Sequence, residues 1–434
     1  MSNTYAFMTV EVYPQAEEFL RTEVDGSRSR LLYLRFTKPQ GAVYTDCKLC
    51  YTEDGEELSR EMFSFESEDL ESFDTLWLKE TTAVVSATLS SGDGQLLWEG
   101  ELAPLPAEKQ TVIPASPIYN ESTLKPGTIR GINYYPRYTP WDAWTKQDPG
   151  MWELELSEIA DKLHANAIRT FAECRNADRL GNIVANARYL STLNRLLATA
   201  ERHHIRVLLC LYSDHPRQVL NHNQRYVRSI VEAFKNDGRI LGWDLVNEID
   251  ANGLMECTYV DNFCLSCYPM LSEIDPNHIN NIGFAYLLDR AVKVGLTFDK
   301  PNQTWHYHFY RKTSADNIQS WITTYFGDRP FILGECGDTS ATASNDGAPR
   351  PYMGELWQRD VYETVLEAQR GILARGEKLL GIFPWIAFAF LKFGPNNDQG
   401  EYGLIREDGT LKPAGELLQQ EYARIKAETP AQWD

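Results

Sequence analysis

An alternation of apolar runs and amphipathic segments limits what this chain can fold into. From Gly127 onward eight short apolar runs recur, and segments of helical periodicity lie between most of them. Eight strand–helix units over roughly 310 residues predict an α/β fold, a (β/α)8 barrel, rather than an open doubly wound sheet. No GxGxxG follows the first run, which further disfavours a dinucleotide-binding fold. The runs are TIRGINYY (128–135), AIRTFAEC (167–174), RVLLCLY (206–212), ILGWDLVNE (240–248), INNIGF (279–284), TWHYHFY (304–310), PFILGEC (330–336) and LLGIFPWIAF (379–388).

The first part of the chain has a different pattern. Short segments that alternate apolar and polar residues, such as SRLLYLRFT and AVVSATLSS, are separated by the turn signals EDGEE and SSGDGQ. This spacing is typical of an antiparallel β-sandwich, either Ig-like or a jelly roll. The stretch APLPAEKQTVIPASP (103–117) holds four prolines and predicts a linker. We therefore predict a sandwich domain over 1–118 and the barrel over 119–434.

Composition excludes several classes of partner. The formal net charge is −19, which is the opposite of the basic footprint that nucleic acids and anionic membranes require. No run of 18 apolar residues predicts a membrane span. The segment MSNTYAFMTVEVYPQ does not resemble a signal peptide, so we expect a cytoplasmic protein, or a secreted one if such a peptide has been removed.

The cysteine pattern predicts neither a metal site nor a cofactor. Several of the eight cysteines lie within apolar runs, as Cys174 and Cys210 do, which indicates free buried thiols. The group Cys257, Cys264 and Cys267 contains one C-x-x-C pair but has no second pair and no histidine at zinc-finger spacing. We interpret it as a helix that carries incidental thiols.

Polar residues gather where the predicted strands end, which is where a (β/α)8 barrel builds its active site. Two of them, Glu248 and Glu335, close the fourth and seventh apolar runs and so face each other across the barrel mouth. Burial at such a position favours a proton donor near neutral pH, and a facing pair of carboxyl groups suits glycoside hydrolysis. The other strand-end residues are Arg169, Glu173, Tyr212, Asp214, His215, Asn247, His306, His308, Tyr310 and Trp385.

Each of these side chains also allows a purely structural interpretation. A strand-end glutamate can anchor a loop by pairing with an arginine, and Arg169 can pair with Glu173 rather than with a carboxylate across the mouth. Trp385 can be a floor for a pyranose ring or ordinary barrel packing. Two glutamates at matched depth, surrounded by Arg, His, Tyr and Trp, favour a functional site. Asn247 would then bond a sugar hydroxyl.

The motifs WDLVNE, ILGECG, HFY and PWIAF resemble clan A of the glycoside hydrolases, and most closely family 5, with similarity to the barrel of family 2. The resemblance covers about 119–425. It implies a retaining mechanism in which Glu248 is the acid/base and Glu335 the nucleophile. It also implies substrate-binding or supporting roles for Arg169, Asn247, His308, Tyr310 and Trp385. We expect no metal and no other cofactor.

Several alternatives stay open at the level of sequence. His306 competes with His308 for the histidine of the strand-six motif, and Tyr212 competes with His215 after strand three. Asp250 either caps a loop or touches a sugar. We expect exo-action on short β-linked gluco- or manno-oligosaccharides; the alternatives are an endo-β-1,4-glucanase or mannanase with an open cleft, and a non-catalytic sugar-binding barrel. The sequence does not determine the oligomeric state.

Overall fold

The computed structural model describes most of the chain, and it divides into two compact units. One unit comprises residues 1–116, 174–192 and 217–237, and the other comprises 117–173, 193–216 and 238–434. The predicted boundary after residue 118 stays a prediction. No helix within the described ranges is long and apolar enough to cross a membrane. Those ranges are 7–120, 122–146, 148–172, 184–213, 216, 218–251, 257–310, 319–344, 347–390 and 398–434.

The first unit contains a β-sandwich, as predicted. One sheet has the order β1-β3-β2-β9, with β6 on the other side of β3, and the second has the order β5-β4-β7-β8. All pairs are antiparallel except β2 with β9. Apolar side chains of both sheets form one core, for example Leu34 and Leu89. The strands are β1 (Thr9–Val12), β2 (Glu17–Thr22), β3 (Arg28–Thr37), β4 (Tyr44–Glu53), β5 (Glu56–Phe65), β6 (Glu71–Lys79), β7 (Val85–Ser90), β8 (Leu96–Leu102) and β9 (Lys109–Ile113).

The linker prediction over 103–117 is wrong in part, because Lys109–Ile113 forms strand β9. This strand pairs in parallel with β2, which places Thr111 opposite Phe19. The prolines at 104, 106 and 114 lie outside the five paired residues. Proline therefore bounds the strand without removing any of its N–H donors, and that is why composition alone suggested a linker.

The second unit contains the predicted barrel, and all of its strand pairs are parallel. The strand order is β14-β13-β12-β11-β10-β18-β17-β16-β15. Since only Ile282 separates β14 from β15, these two act as one strand position, and the sheet closes with eight positions. The strands are β10 (Ile129–Asn133), β11 (Ala167–Phe171), β12 (Arg206–Cys210), β13 (Ile240–Asp244), β14 (Ile279–Asn281), β15 (Gly283–Phe284), β16 (Trp305–Tyr310), β17 (Phe331–Gly337) and β18 (Leu379–Pro384).

Helices follow most barrel strands. The helix Pro149–Leu163 begins after Asp148, whose carboxylate accepts the N–H of Gly150, and Pro149 lies in its first turn. It ends at His164, which has a left-handed backbone conformation. The described helices are α1 (Ala143–Lys146), α2 (Pro149–Leu163), α3 (Ala187–Arg202), α4 (Leu220–Phe234), α5 (Thr258–Ile274), α6 (Asp289–Lys293), α7 (Glu355–Ala374), α8 (Asp398–Glu401) and α9 (Pro413–Glu428), together with a 3₁₀ turn (Pro140–Asp142) and a π-helical turn (Ile322–Phe326).

Two strands end earlier than their apolar runs suggest. Strand β13 ends at Asp244 and β18 at Pro384, so Glu248 and Trp385 lie on the segments just beyond them. Those segments continue the barrel wall: Leu245 N–H donates to Asn281, and Asn247 N–H donates to the carbonyl of Tyr212 at 2.9 Å. The strand-end residues are thus held by backbone bonds although they are not in regular strand.

Candidate active site

Arg169, in strand β11, is the centre of the polar network at the barrel mouth. Its side chain is fully buried, and its guanidinium bonds residues of three other strands or strand ends. Nε and Nη2 donate to Asp244 Oδ2 at 2.9 and 2.7 Å, and Nη1 donates to Glu335 Oε1 at 2.7 Å. Although burial opposes a charge, these two carboxylates raise the pKa of Arg169. The guanidinium is therefore a fixed positive charge that orients both acids.

Glu335, in strand β17, has hydrogen-bond donors on both of its oxygens. Oε1 accepts from Arg169, and Oε2 accepts from the phenol of Tyr310 at 2.5 Å. Burial, and then the neighbouring Glu335, raise the pKa of Tyr310 well above its usual value, so the phenol keeps its proton and donates it. Because both oxygens accept, Glu335 is arranged as a carboxylate and not as a proton donor.

Glu248 lies opposite, with a strained backbone. Its φ is +49°, in the left-handed region that non-glycine residues seldom adopt. Such strain costs on the order of 1–2 kcal/mol and is concentrated at functional sites. The side chain remains partly accessible at 15%, and Oε1 lies 2.8 Å from Nδ1 of His308. A carboxyl group that a histidine orients and that remains partly accessible to solvent is suited to contact a substrate.

His308 lies between the two glutamates. Its Nδ1 lies 2.8 Å from Glu248 Oε1 and 3.6 Å from Glu335 Oε2. Burial lowers the pKa of His308 to about 3, which makes the imidazole neutral under ordinary conditions. His306 lies deeper, with its Nε2 3.1 Å from Nε2 of His308. Of the two histidines, His308 is thus the one in contact with the glutamates.

Asn247 and Trp385 complete the mouth. Asn247 Oδ1 accepts from Arg169 Nη2 at 2.8 Å, so its amide nitrogen is left to donate elsewhere. Trp385 is 9% exposed and packs edge to face with Tyr135 and Phe171, at centroid distances of 6.2 and 6.0 Å. The structure therefore brings all seven predicted site residues to one end of the barrel.

Other strand-end predictions have different outcomes. Tyr212 is buried and packs edge to face against Phe263 of α5 at 5.1 Å, a packing role. Glu173, Asp214 and His215 lie outside the described residues.

Two buried polar residues of the network were missed by the sequence reasoning. Asp244 bonds Arg169 twice, and Asn133 Oδ1 accepts from the same guanidinium at 3.0 Å. Both are fully buried. A signal was present, because each is a polar residue that ends an otherwise largely apolar strand, and a buried polar residue needs a partner. Arg169 of strand β11 is that partner for both residues.

Asp250 caps a loop. Its carboxylate is buried and accepts the backbone N–H groups of Ala285 and Tyr286, each at 2.7 Å, and that of Leu287. These residues directly follow strand β15, on the same side of the barrel as the site. Of the two alternatives that the sequence left open, the contacts favour the cap.

We expect Asp250→Ala to lower the free energy of unfolding by about 1–3 kcal/mol, since it leaves buried N–H donors without an acceptor. Asp250→Asn keeps one carbonyl oxygen and should cost less. Urea unfolding of both variants and the parent measures the difference. If Asp250→Ala unfolded like the parent but bound substrate more weakly, the residue would instead contact the sugar.

One group of side chains in the described ranges has the spacing of metal ligands: one atom each of Glu248, His308 and Glu335, all within 4.8 Å of one another. The surrounding charge disfavours a cation there. Glu335 already accepts from Arg169 and Tyr310, and a metal ion at this point would lie beside a buried guanidinium. The spacing of the two carboxyls is better suited to acid–base and nucleophilic work.

No protein-family model matches the sequence, and the search of curated proteins found no match. Among solved structures, GH5_18 from Streptomyces cattleya in complex with GlcNAc is similar, with a TM-score of 0.55 and 16% identity over 71% of this chain and 82% of that one. A variant of that enzyme in complex with Manβ1-4GlcNAc gives 0.54 and 16%, over 69% and 81%. An exo-β-1,4-mannosidase from Opitutaceae bacterium strain TAV5 gives 0.55 and 17%, over 73% and 62%. The fold of this chain thus resembles that of these GH5_18 and exo-β-1,4-mannosidase structures.

Proposed function

We propose that this protein is a retaining β-glycoside hydrolase that works by double displacement. The observation that carries the proposal is that the two glutamates have different hydrogen-bonding environments. Glu335 accepts hydrogen bonds on both oxygens, whereas Glu248 touches a neutral imidazole and stays partly open. A carboxyl oxygen of Glu248 and one of Glu335 lie within 4.8 Å of each other. Retaining enzymes hold their two carboxyl groups about 5–5.5 Å apart, so this distance supports the action of both glutamates on the same glycosidic bond.

In the first step, Glu335 attacks the anomeric carbon while protonated Glu248 gives its proton to the departing oxygen. Arg169 and Tyr310 aim the two oxygens of Glu335 and hold the carboxylate in place before the substrate arrives. Asn247, fixed through its own oxygen by Arg169, presents an N–H donor to a sugar hydroxyl. The Trp385 ring provides the floor on which the sugar stacks.

In the second step, ionised Glu248 removes a proton from a water molecule that attacks the glycosyl-enzyme. The carbon–oxygen bond to Glu335 breaks, and Glu335 returns to its hydrogen bonds with Arg169 and Tyr310. The sugar leaves with the configuration at which it entered, because each step inverts the anomeric carbon once.

For the substrate, we infer exo-action on short β-linked gluco- or manno-oligosaccharides. Two of the similar structures favour β-mannosides as substrates: one is an exo-β-1,4-mannosidase and another holds Manβ1-4GlcNAc. An open-cleft endo-glucanase or mannanase would instead release mixed oligosaccharides from a polysaccharide.

A panel of aryl β-glycosides and defined β-linked disaccharides tests this function. We expect hydrolysis of at least one β-mannoside or β-glucoside, with release of a terminal monosaccharide. Proton NMR of the first sugar formed should show the β-anomer before mutarotation. An α-anomer would contradict retention, and a panel with binding but no hydrolysis would favour a non-catalytic sugar-binding barrel. Release of mixed oligosaccharides from a β-1,4-glucan or β-mannan polysaccharide, assayed beside the panel, would favour endo-action.

A further inference from the structure

Two buried residues behind the site, Asp244 and His306, have a connection to Glu248 that the double-displacement scheme does not use. Asp244 Oδ1 lies 3.4 Å from Nδ1 of His306. His306 Nε2 lies 3.1 Å from Nε2 of His308, and Nδ1 of His308 lies 2.8 Å from Glu248 Oε1. The four side chains form one continuous line from the barrel interior to the mouth.

Asp244, at the buried end of this line, determines which ring nitrogen of His306 carries the proton. Asp244 Oδ2 is occupied by two bonds from Arg169, whereas Asp244 Oδ1 and His306 Nδ1 have no well-formed hydrogen bond within the described residues and face each other at 3.4 Å, a charge contact. A bare ring nitrogen against a buried carboxylate oxygen would leave two acceptors facing each other, which is costly. The proton of His306 therefore belongs on Nδ1, directed at Asp244.

A second proton on His306 is disfavoured by its surroundings. The ring is fully buried, and burial lowers its pKa despite the nearby Asp244; the positive charge of Arg169 acts in the same direction. Neutral His306 then has a lone pair on Nε2 and must accept from His308. Neutral His308, with its proton on Nε2, has its lone pair on Nδ1 and must accept from Glu248.

We propose that His306 and His308, oriented at their buried end by the charge of Asp244, form a directional hydrogen-bond chain that holds Glu248 in its protonated form, which makes His306 a positioning residue for the acid step. The inference rests on the proposed function, in which Glu248 must carry a proton when substrate binds. After Glu248 has given up that proton, the bare Nδ1 of His308 faces its carboxylate, and this favours removal of a proton from water in the second step.

The packing around His306 fixes its ring in this line. A Cβ at position 334 would lie 1.4 Å from His306 Nε2, so the glycine of ILGECG makes room for this imidazole. The charged groups facing the two rings are Asp244 and Arg169 at the inner end and Glu248 and Glu335 at the outer end. The phenol of Tyr310 lies beside Glu335 and keeps its proton.

Three variants test the chain. His306→Leu removes the hydrogen-bond acceptor of His308 Nε2. His308 can then carry its proton on Nδ1 and donate it to Glu248, which favours the ionised form of that carboxyl group. His306→Gln keeps one acceptor and one donor, and the demand of Asp244 for a donor orients its amide. Tyr307→Phe, at the neighbouring position of the same strand, is the matched control because its ring packs against Trp321 and takes no part in the chain.

The pH profile of kcat/KM is measured with a substrate from the panel that has a poor leaving group. Its departure requires a proton, so the basic limb of the profile reports the acid group of the free enzyme. We expect His306→Leu to move that limb to lower pH by about one unit, with the largest rate loss for poor leaving groups. His306→Gln should restore most of the shift, and Tyr307→Phe should show none. If the basic limb of the pH profile of His306→Leu were the same as that of the parent, the proposed hydrogen-bond chain would be wrong.

A second measurement needs neither activity nor a folded leucine variant. Nitrogen-15 NMR of histidine-labelled parent protein, with the resonances assigned by means of His306→Gln, distinguishes protonated from bare ring nitrogens. We expect protons on His306 Nδ1 and His308 Nε2. A proton on His308 Nδ1 would overturn the inference even if the enzyme hydrolyses glycosides. If no glycoside is hydrolysed, the proposed function fails while this spectrum still decides the chain.

Discussion

Glu335→Ala should reduce kcat/KM at least on the order of 10⁴-fold, because the variant lacks the group that forms the glycosyl-enzyme. The fold should survive. Arg169 keeps its two bonds to Asp244 and its contact with Asn247 when Glu335 is removed, so no buried charge is left without a partner. Thermal unfolding should accordingly change by a few degrees at most.

Azide makes this prediction specific. A small anion fits the space that the missing carboxylate leaves, and its attack from the side of Glu335 should give an α-glycosyl azide from an activated β-glycoside. Glu421→Ala is the matched control, since this glutamate lies on the outer helix α9 and pairs with Arg370 and Arg424; its kcat/KM should equal that of the parent. If Glu335→Ala does not fold, the glutamate is a structural anchor.

Glu248→Gln should lower kcat/KM for natural disaccharides by about 10²- to 10⁴-fold, the usual contribution of a positioned general acid. The loss should be far smaller for aryl glycosides with acidic phenols, which depart without a proton. Glutamine is isosteric and keeps a group within reach of His308, so the change tests proton transfer and not packing. The readout is kcat/KM plotted against the pKa of the leaving group.

Azide separates the two glutamates. With Glu248→Ala it should replace water in the second step and give a β-glycosyl azide, the opposite anomer from that formed by Glu335→Ala. An equal loss for good and poor leaving groups would show that Glu248 is not the proton donor. The same azide product from both variants would contradict the division of roles between the two residues.

Some elements of the fold could be predicted from the sequence, and others could not. The barrel was predictable because each of its strands is buried on both faces and therefore gives a continuous apolar run. Strand β9 was not, since five residues between prolines carry too weak a pattern. The strand that holds Asn247 and Glu248 appeared longer than it is, because the segment after Asp244 is apolar for packing reasons and hydrogen-bonds to its neighbours without being regular strand.

The choice between His306 and His308 shows a second limit. The two are separated by one residue and therefore share a face of β16. Only their depth in the barrel distinguishes them: His308 pairs in register with Glu335, whereas His306 pairs with Ile332. Depth depends on how the strands are staggered, which is a property of the closed sheet and not of any one segment.

By itself, the sequence determined that seven residues lie within or at the end of apolar runs, because polar or aromatic groups at such positions are visible in one dimension. They are Arg169, Asn247, Glu248, His308, Tyr310, Glu335 and Trp385. Only the tertiary structure decided their contacts: Arg169 bonds both Asp244 and Glu335, and Asp244 continues through His306 to Glu248. These residues are up to 166 positions apart. Closure of the barrel brings them together, since hydrogen bonds between side chains require a few ångströms of proximity that no local pattern encodes.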